Sequence, residues 1–473
     1  MLFNSLTFLA FFAAVYSLYL LLRRSVGAQN VLLLAASYVF YGWWDWRLLS
    51  LLWVSTLVDY CVGLQMAAAT GRRHRRALLL VSLTTNLGLL GVFKYFNFFA
   101  ASAARVLTAL GMDPSVPTLE IVLPVGISFY TFQTLSYSID IYRERMQPTR
   151  NLVGFALYVA FFPQLVAGPI ERARRLLPQV LSPRRICADQ VDAAIFLILW
   201  GYFKKTVIAD NLGRVADPVF DQYTNYSGAN IPLATVAFAL QIYCDFSAYS
   251  DIARGLAKLL GFELMINFKL PYFAQDPSDF WRRWHISLST WLRDYLYVPL
   301  GGNRSGPLAT YRNLLLTMLL GGLWHGAAWH FVLWGLFHGV LLMGYRIAGV
   351  QTVVDDAGPV SLFRPRIALR ISVMLCFTLV GWILFRAKSL GQIAYMLSHL
   401  GFEVDASATA AAVELAFFGT PLLLMQLLQH YTRDLLAPTK WPIPYRALCY
   451  GWMLVWIFIF GVRETPEFIY FQF

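Results

Sequence analysis

The chain has 473 residues, of which 58% are hydrophobic and only 14% are charged. Its mean hydropathy is +0.56, whereas a typical soluble domain is about 45–50% apolar and about 25% charged. The composition therefore excludes a soluble globular protein and indicates an integral membrane protein with several spans. The net charge of +12 does not indicate nucleic-acid binding, because the basic residues stand in short runs between apolar stretches, as anchoring and orientation in a bilayer require.

The first 150 residues alternate between apolar spans and basic runs. The stretch 1–22 carries no charge before Arg23 and Arg24, and so lacks the basic start of a cleavable signal peptide. We therefore expect it to remain as the first helix, with its N-terminus outside. The positive-inside rule then places the two arginines and the run "GRRHRR" on the cytoplasmic side. The next predicted spans are 31–44, 47–68 and 77–100, separated by "WDW" near Asp45 and by the basic run 71–76. The loop 112–120 then falls outside, and the loop 142–150 falls inside.

After residue 150 the order of the crossings stays open as far as residue 270. The run 152–170 contains Pro163, Gly168 and Pro169 and ends in arginines, so we expect a broken or re-entrant segment that returns to its own side. In all, we predict an all-α polytopic membrane protein, a single domain over residues 1–473, with about ten to twelve crossings and one or two re-entrant segments. The remaining apolar runs lie at 191–209, 231–250, 312–345, 366–386, 408–429 and 446–462.

The run "GGLWHGAAWHFVLWGLFHGV" at 321–340 carries three histidines inside a stretch without formal charge. That stretch covers the 33 residues 313–345. As one straight helix it would be about 50 Å long, against a hydrocarbon core of about 30 Å. We therefore predict a break at Gly321 and Gly322, followed by a helix that holds His325 inside the membrane.

The spacing of these histidines is unfavourable for a metal site. Along one helix, His325 points about 140° away from both His330 and His338, so the three cannot act as ligands on one face. The sequence also contains no HExxH motif and no cysteine-rich spacing, and we predict no metal. The pair Gly322 and Gly326 instead permits the close approach of another backbone or of a ligand.

The five cysteines show no paired spacing and stand mostly in apolar runs, which favours a packing role. A role of Cys244 as an acyl carrier is the weaker alternative. The five are Cys61, Cys187, Cys244, Cys376 and Cys449.

A second polar concentration, "DPSDFWRRWHISLSTWLRDYLYVPLGGNR", covers residues 276–304. Asp276, Pro277 and Asp279 are typical of a helix start, with a capping carboxylate, a first-turn proline and an acidic first turn. An aromatic, apolar face surrounded by arginines then favours an interfacial or re-entrant helix over a spanning one, with His285 beside that face. Alternatively, His285 only caps a backbone carbonyl. The face comprises Trp284, Leu288, Trp291 and Tyr295, and the arginines are Arg282, Arg283 and Arg293.

These segments carry a family resemblance. The string "WRRWHISLSTWLRDYLYVPLGGNR", followed after a short gap by "GGLWHGAAWHFVLWG", resembles the signature of the membrane-bound O-acyltransferases. The resemblance covers nearly the whole chain, is strongest over 123–340, and favours the bacterial branch of alginate O-acetylation over that of D-alanyl transfer. The other matching strings are "LPVGISFYTFQTLSYSIDIYR" at 123–143, "FFPQLVAGPIERARRLLPQ" at 161–179, "QIYCDFSAYSDIARGLAKLLGF" at 241–262 and the terminal "FIYFQF".

The resemblance implies transfer of an acyl group, expected to be acetyl from cytoplasmic acetyl-CoA, toward an exported polysaccharide such as alginate. It implies a protein of the bacterial inner membrane built around a central passage, and the positive-inside rule then places the N-terminus in the periplasm. It also implies either direct transfer or transfer through a periplasmic acetyltransferase partner. The essential histidine of the family corresponds to His325, and its second polar position corresponds to His285. No bound cofactor is expected.

The chemistry can be argued from the residues themselves. Attack of a hydroxyl on a thioester needs a base, and one neutral imidazole is sufficient because a thiolate leaves readily. Burial disfavours imidazolium and keeps His325 basic, while His285 could orient the acceptor or assist the oxyanion. Arg282 and Arg283, next to Trp281, could bind the phosphates of coenzyme A. Anchoring to lipid headgroups explains these arginines equally well.

Ionisable groups within a membrane are functional candidates by default, and several crowd the segment 241–262. Asp251 and Arg254, at i and i+3, could also simply neutralise each other, and both interpretations stay open. The candidates for the acyl passage are Asp245, Tyr249, Asp251, Arg254 and Trp324.

Two alternatives to acetyl transfer remain. An intramembrane transporter would also bury His, Asp and Arg in broken helices, although the sequence shows neither an internal repeat nor a GxxxxGK[ST] loop. The second alternative is transfer of D-alanyl groups to a cell-wall polymer. Composition and spacing alone favour neither an enzyme nor a transporter, and the motif resemblance favours the enzyme.

Overall fold

The computed structural model describes residues 1, 3–113, 119, 123–165, 168–350, 362, 364–462 and 468. The named secondary structure in these ranges is entirely helical, which confirms the predicted all-α class. The chain divides into two compact units, one of residues 1–187 with 256–265 and the other of residues 188–255 with those from 266 onward. That the chain is a single domain stays a prediction.

The first unit contains nine helices of the described ranges, and the predicted spans of the first 100 residues fall on the first five. The helix predicted at 31–44 begins earlier, at Val26, because the Ser25 hydroxyl caps it by accepting a hydrogen bond from the backbone N–H of Ala28. The helices are α1 (Leu6–Leu21), α2 (Val26–Asp45), α3 (Leu49–Ala68), α4 (Arg72–Leu90), α5 (Phe96–Ala109), α6 (Ile127–Tyr142), α7 (Leu152–Ala160), α8 (Phe162–Leu165) and α9 (Ala173–Leu181).

Local interruptions in this unit follow the sequence signals. A 3-10 turn at Trp46–Leu48 separates α2 from α3, and the Asp45 carboxylate accepts the backbone N–H of Arg47 there. The run 152–170 is broken between α7 and α8, as predicted. Most of the predicted loop 112–120, and residues 166 and 167 of that run, lie outside the described residues.

The second unit contains the histidine-bearing segments. Three π-helical segments of the described ranges join or extend α-helices. Gly91–Tyr95 belongs to the first unit, whereas Phe203–Ala209 and Arg293–Tyr297 belong to the second. The helices are α10 (Ala188–Tyr202), α11 (Asp210–Asp221), α12 (Asn230–Leu259, its last turn in the first unit), α13 (Pro277–Arg283), α14 (Ile286–Leu292), α15 (Gly306–His325), α16 (Trp329–Ile347), α17 (Pro365–Arg386), α18 (Leu390–Ser398), α19 (Ala406–Thr432) and α20 (Ile443–Phe460).

Within the described ranges, six helical segments are long and apolar enough to cross a membrane. Two of them, of 43 and 38 residues, are longer than the roughly 20 residues that one crossing needs. The protein is thus a multi-pass membrane protein, while ten to twelve crossings stays a prediction. The segments are Val26–Ala68, Arg72–Ala109, Asn230–Leu259, Pro365–Arg386, Ala406–Thr432 and Ile443–Phe460.

The predicted break at Gly321 and Gly322 is wrong. Helix α15 continues through both glycines to His325, and the chain leaves the helix at Gly326, whose backbone is extended. The predicted close approach of another backbone at the pair of Gly322 and Gly326 is confirmed, because Gly326 lies against the Phe331 ring and Gly322 packs against Gly335 of α16. The two glycines let α15 and α16 approach as a hairpin, which divides the 33 uncharged residues into two helices.

The helical-wheel argument about the three histidines fails for the same reason. His325 ends α15, whereas His330 and His338 belong to α16. The indole of Trp334 contacts both His325 and His338, with centroids 5.0 and 4.8 Å away. Angles along one continuous helix therefore do not describe these side chains.

Candidate active site

The hairpin of α15 and α16 places His325 at the buried end of α15. A Cβ atom on Gly322 would overlap the carbonyl oxygen of Phe331 and lie 3.0 Å from Cα of Gly335. The close packing of these backbones fixes the end of α15. The His325 side chain is buried among aromatic rings, with centroids 5.1 Å from Trp324 and 5.5 Å from Phe385.

The second candidate, His285, lies between two short helices. Helix α13 begins as predicted, with the Asp276 carboxylate accepting the backbone N–H of Asp279 at 2.9 Å and with Pro277 in its first turn. The predicted continuous helix through Trp284 is wrong, because α13 ends at Arg283 and His285 adopts the left-handed region with φ +42°. Seven residues each are too few for α13 or α14 to span a bilayer.

The non-helical turn keeps the predicted aromatic face buried. Its residues no longer share one helix, since Trp284 stands outside α14, yet all four side chains are less than 9% exposed. An uncommon positive φ at a histidine needs support from its surroundings. Here the support comes from burial of the neighbouring residues, which are Trp284, Leu288, Trp291 and Tyr295.

The two imidazoles converge although they are 40 residues apart in the sequence. The ring centroids of His285 and His325 lie 6.3 Å apart, and Trp324 lies 5.8 Å from His285. Burial lowers the pKa of His285, which lies outside the six candidate spans, to about 3. His285 is therefore a neutral imidazole near pH 7.

A cavity of about 320 Å³ leads to His325. Exposed arginines, Arg282 and Arg293, belong to its lining together with the buried imidazole of His325. Most other lining atoms are apolar, so the cavity can enclose an apolar chain while its charged residues remain near water. The lining comprises Ser278, Trp281, Arg282, Ile286, Leu288, Ser289, Thr290, Leu292, Arg293, Tyr297, Leu314, Thr317, Met318, Gly321, His325, Trp334 and Leu342.

Two of the three predicted donor-binding residues, Trp281 and Arg282, line this cavity. The third, Arg283, does not, and its guanidinium donates to the Asp279 carboxylate at 2.8 Å. That i,i+4 ion pair holds Arg283 along α13. Cys244, the weaker acyl-carrier candidate, is buried in α12 and is not part of the lining.

The predicted passage residues of α12 form ion pairs. Lys204 Nζ lies 2.7 Å from Asp251 Oδ2, and Arg254 Nη1 lies 3.1 Å from Asp251 Oδ1. The i,i+3 pair of Asp251 and Arg254 therefore exists, with Lys204 as an additional cation. These side chains, together with Tyr249, do not line the cavity at His325. A role in the passage, for them and for Trp324, stays a prediction.

Four polar residues near these groups were not predicted from the sequence, namely Lys204, Lys205, Asp210 and Asn267. Lys205 Nζ lies 2.8 Å from Asp210 and 2.7 Å from Asp245, and all three side chains are buried. Two adjacent lysines inside the apolar run 191–209 were the signal that could have predicted them. The fourth of them is Asn267, whose side chain contacts His285. A single asparagine in a loop gave no such signal.

Comparison with known proteins assigns the family. The model of the membrane-bound O-acyltransferase family matches residues 38–384. A protein of Azotobacter vinelandii named "probable alginate O-acetylase" is 45% identical over 82% of this chain and 76% of its own. A protein of the same name from Pseudomonas putida is 42% identical over 89% of this chain and 87% of its own. The peptidoglycan O-acetyltransferase of Helicobacter pylori is 36% identical over 76% of this chain and 71% of its own.

The chain belongs to the membrane-bound O-acyltransferase family. It is therefore an acyltransferase and a multi-pass membrane protein. The family assigned from the motif strings is confirmed.

Proposed function

We propose that this protein transfers acetyl groups from acetyl-CoA toward the hydroxyls of an exported polysaccharide of the alginate type. One observation supports this most directly: a single cavity is lined by exposed arginines and by the buried imidazole of His325. Such a cavity suits a donor with an anionic head and a thioester at the end of a long, uncharged arm. Relatives named for O-acetylation favour acetyl over other acyl groups.

In the proposed reaction, His325 acts as the general base. The acceptor hydroxyl attacks the thioester carbonyl as the imidazole takes the hydroxyl proton, and an oxygen–carbon bond forms. The carbon–sulfur bond then breaks, coenzyme A leaves as the thiolate, and the proton passes from imidazolium to sulfur. The acceptor hydroxyl belongs to the polysaccharide itself or to a periplasmic acetyltransferase partner that passes the acetyl group on. The neutral ring of His285, 6.3 Å from His325, orients the acceptor or the carbonyl.

The direct test uses purified protein in nanodiscs with acetyl-CoA labelled in the acetyl group, and alginate or membrane extract as the acceptor. Release of free coenzyme A together with label in polysaccharide or in a partner protein is the expected result. Label crossing a vesicle membrane as intact acetyl-CoA would favour the transporter alternative. If the thiol is released only from a D-alanyl thioester, the transferred group is D-alanyl and not acetyl.

Arg282 is proposed to bind the phosphates of coenzyme A. Arg282→Ala should raise the KM for acetyl-CoA by about 10- to 150-fold, as expected for loss of one charge-assisted hydrogen bond of about 1.5–3 kcal/mol. It should leave the KM for acetyl-pantetheine, which has no adenosine phosphates, nearly unchanged. The matched control is Arg304→Ala, an exposed arginine that does not line the cavity. Equal KM values for acetyl-CoA in both variants would assign Arg282 to headgroup anchoring instead.

We further propose that the protein lies in the bacterial inner membrane with its N-terminus in the periplasm. The exposed arginines at the start of α4 support this orientation, because basic residues collect on the cytoplasmic side. A cysteine introduced as Arg73→Cys, in a chain without its native cysteines, should react with a membrane-impermeant maleimide only after the cells are permeabilised. Labelling in intact cells would reverse the orientation.

A further inference from the structure

We propose that Asn267 is a positioning residue that holds His285 in one tautomer, with the proton on Nδ1 and the lone pair on Nε2. This inference rests on the proposed function, because it assigns how the second imidazole of that site is prepared for acyl transfer. Asn267 lies in the loop between α12 and α13, and its side chain is 1% exposed.

The orientation of the Asn267 amide follows from its partners. The backbone nitrogen of Ser287 lies 3.2 Å from Oδ1 of Asn267, and a backbone N–H can only donate. The atom at that position is therefore the amide oxygen. The Ser287 hydroxyl also donates to it, at 2.9 Å. On the other side, Nδ2 of Asn267 donates to the hydroxyl of Ser250 at 3.1 Å.

The tautomer of His285 follows from that orientation. Nδ1 of His285 lies 3.1 Å from the same amide oxygen, which has no proton to give. The Ser287 hydroxyl lies 3.4 Å from Nδ1, but it gives its own proton to the same amide oxygen and can only accept from Nδ1. Nδ1 therefore carries the proton and donates it. In a neutral imidazole the other nitrogen, Nε2, then carries the lone pair. It is the atom that can take a proton or accept a hydrogen bond during the reaction.

The main chain of Asn267 supports the same segment. Its carbonyl oxygen accepts the backbone N–H of Ile286 at 2.9 Å. Asn267 thus binds three consecutive residues, His285, Ile286 and Ser287, through its side chain and backbone. These bonds satisfy N–H groups at the start of α14, which have no partner within the helix, and they stabilise the left-handed backbone of His285.

An amide differs here from a carboxylate in one important respect. Both accept the proton of Nδ1, but a carboxylate would also stabilise the imidazolium by its charge. Among the described residues, rings in contact with His285 include those of Phe246, Phe268, Trp324 and His325. Of these four, His325 is titratable. The amide therefore fixes the ring without raising its basicity.

Asn267→Asp tests this argument through the titration of the His285 ring. The carboxylate accepts the same hydrogen bonds but raises the pKa of His285, since an adjacent opposite charge raises the pKa of a histidine by about one unit or more. A base with a raised pKa is still protonated at higher pH. The pH at which the His285 ring becomes imidazolium, followed by the ¹⁵N chemical shifts of its nitrogens, should therefore be higher in the variant than in wild type by about one unit or more. Asn267→Leu should lower kcat by about 10-fold or more with little change in the KM for acetyl-CoA.

The matched control is Ser250→Ala, which removes the acceptor of the Asn267 Nδ2 hydrogen bond and leaves the contact with His285 in place. Its kcat and pH profile should stay within about two-fold of wild type, as expected for an exchange that spares the tautomer. An unshifted titration of His285 in Asn267→Asp, or wild-type kcat in Asn267→Leu, would overturn the proposal. So would an equal loss in Ser250→Ala, which would indicate a purely structural role.

A spectroscopic measurement separates this inference from the proposed function. In protein with ¹⁵N-labelled histidine, Nδ1 of His285 should show the chemical shift of a protonated nitrogen and Nε2 that of an unprotonated one. His285→Gln supplies the assignment. This tautomer should be present even if acetyl-CoA is not the donor. The opposite tautomer in wild type would contradict the role of Asn267 whatever the reaction is.

Discussion

His325→Ala should lower the rate of acyl transfer by at least about 100-fold, because general bases contribute about 10²- to 10⁴-fold to such reactions. His325 is the titratable side chain that combines burial, a place in the cavity lining and proximity to a second imidazole. The KM for acetyl-CoA should change little, since the proposed phosphate contacts lie at Arg282. Coenzyme A release and acetylated product, measured on equal amounts of purified protein, give both constants.

Two further variants separate the loss of the base from the loss of packing. His325 packs against Trp324, Trp334 and Phe385, so alanine also leaves a cavity among these rings. His325→Gln keeps most of the volume and should be equally inactive, because an amide cannot take the proton. His330→Ala removes a nearby histidine that does not line the cavity and should retain activity. Full activity in either His325 variant would exclude the base role.

The sequence predicted which segments carry the candidate catalytic residues better than it predicted how those segments pack. The two histidines stood out because imidazoles and arginines are rare in apolar surroundings, and the membrane spans followed from hydropathy. The length of the run 313–345 correctly required an interruption. Its position did not follow from the sequence, because Gly322 packs against Gly335, and that partner is defined only when two helices meet.

Polar partners were harder to predict than the residues they hold. Asp245 and Asp251 were recognised as candidates, but each pairs with a lysine of a π-helical segment more than 35 residues earlier in the chain. Asn267 stands 18 residues before His285 in a loop. Its importance arises from the turn at His285, which interrupts what the sequence predicts as one continuous helix. Local patterns show which residues are unusual, whereas their contacts depend on tertiary packing.

Gly322→Leu should strongly reduce both the yield of folded protein and its activity. Any side chain at this position overlaps the carbonyl oxygen of Phe331, and backbone atoms cannot move aside as a flexible side chain can. Overpacking commonly costs about 1–3 kcal/mol, and we expect at least that cost for leucine because α15 and α16 must separate. Since His325 lies one turn after Gly322, the separation would also displace the imidazole from the cavity. Thermal unfolding in detergent and acetyl transfer by the surviving folded fraction measure the two effects.

Glycine-to-alanine exchanges in the same hairpin provide the sharpest comparison. Gly335→Ala places its Cβ against the carbonyl oxygen of Met318 and should destabilise the protein as Gly322→Ala does. Gly344→Ala, in the same helix α16, meets no atom within 4 Å. It should be neutral or slightly stabilising, because alanine is favoured over glycine inside a helix by about 1 kcal/mol. Equal unfolding temperatures for the three alanine variants would show that α15 and α16 do not touch at their glycines. The position of His325 would then need another explanation.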